Sequence, residues 1–311
     1  AAGQKTELNI YFGSSTNIKN KIKYTYDTSK RLLTETKYAS DKSTITDKIS
    51  YTYDIEGNVS RKLIQFGFNK PNPKSSGMEY KWTLITGEDI NYTFTNGKIT
   101  REVTTSAYME SVTKKVGTMS YTYSDYVHTR TTKELLYSYD ENGNITRILT
   151  KIGYDKPTPK TSGMEHVWTL RSDEDIRYTY INGKITKEVT TSAYMESVTK
   201  KVGTITYTYS DYINTHKTKE VTYDYDEIGN IKTKETKVGY YKSNPTTSGM
   251  ESIWSYRTNE KLNYTYNDNH QLSNLTIYGS YADLVSKKVG TVTYTYYEYN
   301  TCLLYTSDAA D

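Results

Sequence analysis

Cysteine, proline and long apolar runs are scarce in this sequence, and their scarcity excludes several kinds of protein. The 311 residues include one cysteine and five prolines. A single cysteine rules out a disulfide framework and a cysteine-based zinc site. No stretch approaches the roughly 20 apolar residues that a membrane-spanning helix requires, so we expect no membrane span.

An excess of one charge is also lacking. Lysine and arginine number 40 against 36 aspartates and glutamates, and the net charge is +4. Both signs are interspersed along the chain, whereas nucleic-acid-binding proteins carry a basic stripe that follows the phosphate backbone. The charge pattern therefore predicts no nucleic-acid partner.

Tyrosine provides much of the apolar surface in this chain. There are 35 tyrosines, against four phenylalanines and three tryptophans. Tyrosine favours strands, and it can bury its ring while its hydroxyl stays in water. No window shows the 3.6-residue apolar stripe of an amphipathic helix. The composition therefore predicts a folded, all-β chain.

A repeat of 86 residues organises the sequence. The segment Ser-Gly-Met-Glu begins at residues 76, 162 and 248, and Thr105–Thr118 returns unchanged at Thr191–Thr204. Such near-identity indicates recent duplication, and internal repeats of this size are typical of repeat architectures. We divide the chain into a degenerate N-terminal repeat (1–50), repeats at 51–136, 137–222 and 223–301, and a tail at 302–311.

The local pattern within each repeat is that of β-hairpins. Thr204–Ser210 alternates apolar and polar residues with a period of two, which indicates a strand with one packed face. Asn96-Gly97 and Asn182-Gly183 are strong signals for type I′ hairpin turns. We expect about six strands per repeat, and the proline-bearing segment 154–163 should not be a central strand.

These hairpins predict an extended antiparallel β-meander in which each unit contacts mainly its neighbours. A closed β-propeller is the alternative, because each repeat divides into two related halves whose lengths suit a four-stranded blade. Strand pairing distinguishes the two architectures.

Three segments share the pattern Tyr-x-Tyr-Asp-x-x-Gly-Asn followed by Val or Ile, beginning at Tyr51, Tyr137 and Tyr223. They resemble the Tyr-Asp (YD) repeat of the Rhs, insecticidal toxin-complex and teneurin group, and Tyr24–Leu32 is a further match without the glycine. The resemblance implies a secreted or cell-surface bacterial protein whose hairpins wind into a long curved sheet. In some members of the group this sheet is a closed shell around a C-terminal toxin.

The segment Cys302–Asp311 departs from the Tyr/Thr/Lys pattern and contains the cysteine. It resembles the translation of a sequencing adapter that has been read through in frame. The resemblance implies that the natural coding sequence stops near Thr301, within a repeat. We therefore do not expect Cys302 to be a nucleophile or a metal ligand.

Three longer turns with the pattern Asp-x-x-Gly-Asn have a structural interpretation. Their aspartates can accept backbone N–H groups while the glycine takes a positive φ. Calcium would need about six to eight oxygen ligands, and each turn offers only one or two carboxylates, so we predict turn residues and no metal. These residues are Asp54, Gly57, Asn58, Asp140, Gly143, Asn144, Asp226, Gly229 and Asn230.

No catalytic motif stands out in the sequence. The histidines at 128, 166, 216 and 270 do not cluster with carboxylates, so surface positions are favoured over metal or general-base roles. The chain has no phosphate-binding loop, nucleophile elbow or His-Glu-x-x-His motif. Most distinctive residues come in threes, whereas a catalytic site brings unlike residues together. We predict neither an enzyme nor a cofactor.

The tryptophans that follow the Ser-Gly-Met-Glu segments are the candidate binding residues. Exposed aromatic rings at a fixed spacing could stack on sugar rings or contact a polymer; the alternative is that each ring packs on the sheet. Equivalent groups from successive repeats would raise avidity. The candidate residues are Trp82, Trp168 and Trp254, with Glu79, Glu165 and Glu251 three residues before them.

The predicted function is therefore binding or adhesion by a secreted or cell-surface bacterial scaffold. A carbohydrate or a surface protein would be its partner, held through the repeated aromatic surface. The alternative is a fragment of a toxin-complex-like β-shell that encloses a C-terminal toxin. An enzyme is the third and least favoured class.

Overall fold

A computed structural model describes residues 4–11, 18–41 and 43–308. These residues form sixteen β-strands and no helix. The strands are β1 (Glu7–Tyr11), β2 (Ile18–Tyr26), β3 (Leu32–Tyr38), β4 (Ile45–Tyr53), β5 (Val59–Lys74), β6 (Gly77–Thr95), β7 (Lys98–Val116), β8 (Met119–Tyr139), β9 (Ile145–Lys160), β10 (Gly163–Ile181), β11 (Lys184–Val202), β12 (Ile205–Tyr225), β13 (Ile231–Thr246), β14 (Gly249–Tyr266), β15 (Leu272–Val289) and β16 (Val292–Asp308). In the described ranges no helix has the length and apolar character needed to cross a bilayer.

The strands follow one another in the sheet in chain order, and the pairs are antiparallel. β1 and β16 lie at opposite ends of this order, and the described residues show no pairing between them. The predicted all-β meander of hairpins is confirmed, and the propeller alternative is wrong because consecutive hairpins pair within one open sheet.

The chain forms two compact units. The first consists of Ala1–Leu136 with Lys151–Asp155 and Trp168–Arg171, and the second consists of Tyr137–Thr150, Lys156–Val167 and Ser172–Asp311. The boundaries that we assigned to the individual repeats stay a prediction.

Two kinds of tight turn connect the strands. Asn96-Gly97 and Asn182-Gly183 have positive φ at both residues, as a type I′ turn requires. The longer turns place glycine at a positive φ and close with a hydrogen bond from the aspartate N–H to the carbonyl four residues later. The sequence therefore dictates these connections through residues that accept a left-handed backbone.

Each repeat contains four long strands, not the six that we expected. Between Ile145 and Ile231, one repeat length apart, the chain forms β9, β10, β11 and β12. The expectation failed because the proline-bearing segment 154–163 continues β9 as far as Lys160 before a short turn into β10.

Proline is tolerated in these long strands because their outer halves pair on one side only. In β5, pairing with β4 ends at Phe66, whereas pairing with β6 continues through Pro71 and Pro73 to Lys74. A strand with one free edge does not need every N–H for the sheet. We call the outer half of each long hairpin an arm. Residues 67–86 of β5 and β6, for example, form one arm.

Neighbouring arms contact each other through their side chains. The arm formed by β5 and β6 contacts the outer half of the β7–β8 hairpin: Phe68 meets Tyr126 edge-on at 5.1 Å, and Lys70 pairs with Asp125 at 3.3 Å. In the second unit, Tyr240 of β13 meets Tyr299 of β16 at 5.1 Å. Aromatic edges and ion pairs therefore hold the arms together.

The most buried side chains lie in both halves of the strands: Leu149, Val221 and Glu134 in the inner halves, and Asp125 and Asp211 in the arms. Among the described residues, Leu149 and Val221 are the buried hydrophobic side chains, and the threonines at 36, 104 and 190 are buried as well. Most other apolar side chains are half-buried or exposed. Few apolar side chains of the described residues are therefore fully buried.

Candidate binding surface

The side chains of the three repeated tryptophans each reach over the neighbouring strand to the strand beyond it, in the same way. Each indole Nε1–H donates to a backbone carbonyl two strands away: Trp82 to Ile45 at 3.0 Å, Trp168 to Thr131 at 3.0 Å and Trp254 to Lys217 at 3.2 Å. The polar atom of each ring is therefore satisfied by the protein itself. This geometry fits tryptophan rings that pack on the sheet better than rings that are free to stack on a ligand.

Glycine makes this crossing possible. Each ring lies over a glycine of the preceding strand, at Gly67, Gly153 or Gly239, and an added Cβ would lie 2.1 or 2.2 Å from the tryptophan Cζ2. Sequence reasoning missed these glycines, although their 86-residue spacing inside strands was visible and a strand glycine often marks close approach.

The three rings are not equally covered. Trp82 has 44% of its surface exposed, whereas Trp168 and Trp254 are half-buried. Our prediction of equivalent contributions from successive repeats concerns ligand binding and stays a prediction. The unequal exposure nevertheless makes Trp82 the tryptophan most open to a ligand.

The candidate glutamates do not join the tryptophans in one site. Residues three apart on a strand point to opposite faces, so each glutamate lies on the face away from its tryptophan. Glu79 pairs with Lys74 at 2.6 Å and Glu165 with Lys160 at 2.5 Å, while Glu251 accepts a hydrogen bond from Thr246 at 3.4 Å. These glutamates close the tips of the arms.

The aspartates of the longer turns accept hydrogen bonds from their own turns. Asp140 accepts from the N–H of Asn144 at 2.8 Å and from its Nδ2 at 2.9 Å. The same bonds join Asp54 to Asn58 and Asp226 to Asn230. The hydrogen bond from the Asn144 side chain is the main cause that lowers the pKa of Asp140.

Gly57, Gly143 and Gly229 have φ values of 91°, 88° and 97° in these turns. The same backbone occurs at Lys30 and His270, with φ of 65° and 62°. The turn at Lys30 belongs to the match at Tyr24–Leu32 that the sequence showed without its glycine, and the turn at His270 lacks the glycine as well.

His128, His166 and His216 lie on β8, β10 and β12, and His270 lies in the turn before β15. His166 and His270 are exposed, whereas the side chain of His128 is outside the described residues. His216 stacks on Trp254 with ring centroids 4.5 Å apart, so the surface position predicted for it is wrong: aromatic rings half-bury its imidazole. In the part of the chain that the structure describes, no group of three or more His, Cys, Asp or Glu side chains is placed to hold a metal ion.

Sequence reasoning also missed a set of ion pairs that repeats along the sheet. Arg61 holds Asp89 through two hydrogen bonds of 2.7 Å, and Arg147 holds Asp175 in the same way at 2.7 and 2.9 Å. Buried Glu134 receives Lys151 at 2.9 Å and Arg101 at 2.7 Å, and the hydrogen bond from Lys151 is the first cause that lowers its pKa. These charged side chains therefore neutralise one another in ion pairs within the sheet.

The adapter-like segment continues the last strand. Residues 302–308 belong to β16, where Cys302 is the Cα partner of Gly279. Leu303, Leu304 and Tyr305 are exposed there. The remainder of the tail, residues 309–311, lies outside the described residues.

No protein-family model and no curated protein matches the chain. Among solved structures it is similar to a chain of the Photorhabdus luminescens Tc holotoxin pore with a substitution in TccC3: 12% identity, TM-score 0.28, covering 95% of this chain and 15% of that one. It is also similar to TcdB2-TccC3-TEV (12%, TM-score 0.22, 83% and 14%) and to TcdB2-TccC3 without its hypervariable C-terminal region (13%, TM-score 0.23, 91% and 13%). The chain thus spans less than a sixth of these proteins, and such values assign it neither their activity nor their partners.

Proposed function

We propose that the chain is a non-catalytic segment of a secreted or cell-surface β-scaffold, a wall of a toxin-complex-like shell that packs further polypeptide against its sheet. The observation that carries the proposal is the distribution of apolar surface. Side chains such as Met109, Met195 and Ile213 are 48%, 55% and 52% exposed on the arms. A wall would use such exposed apolar side chains to contact further polypeptide, because exposed apolar surface serves for protein interaction.

The repeated YD-like turns support the same proposal. They resemble those of proteins whose hairpins build long curved sheets, and the meander observed here has the connectivity that such a wall needs. The distinctive side chains recur at an 86-residue spacing instead of converging, which supports a structural role over catalysis. Adhesion through the open ring of Trp82 is the second candidate function.

Binding of an unfolded polypeptide tests the proposal. The probe is fluorescein-labelled, carboxymethylated α-lactalbumin, and the measurement is fluorescence anisotropy with the full chain. We expect saturable binding that weakens by about thirtyfold in the double variant Met109→Ser/Met195→Ser, because buried methionine contacts contribute on the order of 1 kcal/mol each and about 1.4 kcal/mol corresponds to a tenfold change in affinity.

The matched control is Ile55→Ser. Ile55 is 96% exposed at the tip of a turn, away from the arms, so this variant should bind like the parent chain. Equal weakening by Ile55→Ser, or no binding of the unfolded probe by the folded parent, would contradict a role as a shell wall.

A further inference from the structure

The three copies of the repeated tryptophan differ in what lies against the ring. Over Trp168 stands the guanidinium of Arg130, 4.5 Å from the ring centroid and 3.4 Å from that of Tyr108. Over Trp254 the imidazole of His216 is stacked at 4.5 Å and 21°. In both copies a planar cationic or titratable side chain of the same chain occupies the face of the indole, as cation–π geometry favours.

The first copy has lost this covering side chain. The position one repeat before Arg130 and His216 is Thr44, which is too short to cover the indole. Trp82 is accordingly 44% exposed. A groove of about 500 Å³ runs beside it, lined by Ser43, Thr44, Ile45, Thr83 and Leu84. This volume lies within the range of small-molecule sites, roughly 300–1,000 Å³.

Two further differences change the chemistry of the first copy. Asp155, which pairs with Arg130 at 3.2 Å in the second copy, corresponds to Asn69, the cross-strand partner of Trp82. Tyr80, two residues before Trp82 and on the same face, is 65% exposed, whereas the other copies have His166 and Ser252 there. The first copy therefore has two exposed aromatic rings, Tyr80 and Trp82. The second copy has a tryptophan covered by Arg130.

The groove also has polar groups beside the rings. Asp41 accepts hydrogen bonds from the N–H groups of Ser43 and Thr44 and from the Thr44 hydroxyl, and those bonds lower the pKa of Asp41 to about 2. The turn is thus held in place by an ionised carboxylate. Because the Thr44 hydroxyl donates to Asp41, its lone pairs remain able to accept from a ligand hydroxyl.

We propose that Tyr80, Trp82, Ser43, Thr44 and Asn69 form a binding site for a neutral carbohydrate. The C–H face of a pyranose ring carries partial positive charge and packs on the negative face of an indole. Hydroxyl and amide groups at the rim then bind the sugar hydroxyls. A guanidinium from a protein partner fits less well, because Asn69 replaces the acidic partner of the second copy.

Isothermal titration calorimetry with cellohexaose and chitohexaose tests the proposal on the full chain. We expect measurable binding of at least one probe, a loss of about tenfold or more in Trp82→Ala, and a smaller loss in Tyr80→Ala, since truncation of an aromatic anchor removes most of a small ligand's affinity. Trp168→Phe is the matched control and should bind like the parent chain.

A second variant keeps the test independent of any damage to the fold. Thr44→Arg restores the residue of the second copy, so its guanidinium should cover Trp82, abolish sugar binding and shield the indole from acrylamide quenching. Unchanged sugar binding in Trp82→Ala and in Thr44→Arg would overturn the proposal. Failure of both probes at millimolar concentration, or binding of an arginine-rich peptide lost in Trp82→Ala, would overturn it as well; neither outcome bears on the wall function.

Discussion

At the scale of the residue, the second tyrosine of several Tyr-x-Tyr segments joins two strands. The hydroxyl of Tyr180 donates to the carbonyl of Ile145 at 3.0 Å, and Tyr266 donates to Ile231 at the same distance. Tyr53 and Tyr225 make the same bond to Leu32 and Ile185 at 2.8 Å. The abundance of tyrosine therefore has a structural cause, because phenylalanine would fill the same space without this bond.

The second repeat offers a matched pair for testing that bond. Tyr180→Phe should lower the free energy of unfolding by about 1 kcal/mol, the typical worth of a net hydrogen bond. Phe94 occupies the equivalent position one repeat earlier, so Phe94→Tyr should raise the free energy of unfolding by a similar or smaller amount. Urea denaturation followed by far-ultraviolet circular dichroism measures both changes.

The control for this pair is Tyr297→Phe. Tyr297 is 64% exposed, and loss of its hydroxyl should change stability by less than about 0.5 kcal/mol. If Tyr180→Phe were as neutral as this control, the hydroxyl bonds would have no role in holding the strands.

At the scale of the element, the turns show how far sequence reasoning reaches. Asn-Gly and Asp-x-x-Gly-Asn turns are readable because positive φ restricts the residues that can occupy them. The arms were not readable, since proline normally excludes a strand and only the three-dimensional pairing shows that one edge is free. The tryptophan crossing was equally hidden, because it depends on which strands lie side by side.

The turn at Asn267–Gln271 is a degenerate copy that can be repaired. It keeps the closing hydrogen bond from the Asn267 N–H to the Gln271 carbonyl at 2.9 Å, but His270 carries the positive φ of 62°. A side chain in this region is strained by about 1 kcal/mol. His270→Gly should therefore raise the free energy of unfolding by about 0.5 kcal/mol, after the entropy cost of glycine.

Thermal unfolding of His270→Gly and of the reverse change, Gly143→Ala, measures the effect. Gly143 has a φ of 88°, so alanine there should destabilise by about 1 kcal/mol. Asp268→Gly is the control within the same turn: it adds a glycine where no positive φ needs one, and it should give no gain. An equal gain from Asp268→Gly would show that strain at His270 is not the cause.

At the scale of the whole molecule, the near-identical repeats should allow one repeat to be removed without unfolding the others. Leu136 and Thr222 precede equivalent Tyr-x-Tyr-Asp segments at Tyr137 and Tyr223, so joining Leu136 directly to Tyr223 removes one repeat at a matched point. In a repeat protein, each unit is stabilised mainly by its neighbours. The shortened chain should therefore fold into the same meander with four fewer strands.

The deletion is measured by circular dichroism and by amide hydrogen exchange. We expect the β-sheet signal per residue to match that of the parent chain, with the thermal midpoint lowered by roughly a few degrees because one set of neighbour interfaces is lost. Amides of β5 and β13, which lie outside the deleted repeat, should keep their protection. A deletion four residues out of register, joining Leu136 to Glu227, is the control; it removes the Tyr-x-Tyr-Asp segment and should unfold. If both deletions lost protection throughout, the sheet would fold as one indivisible unit and the repeat description would be wrong.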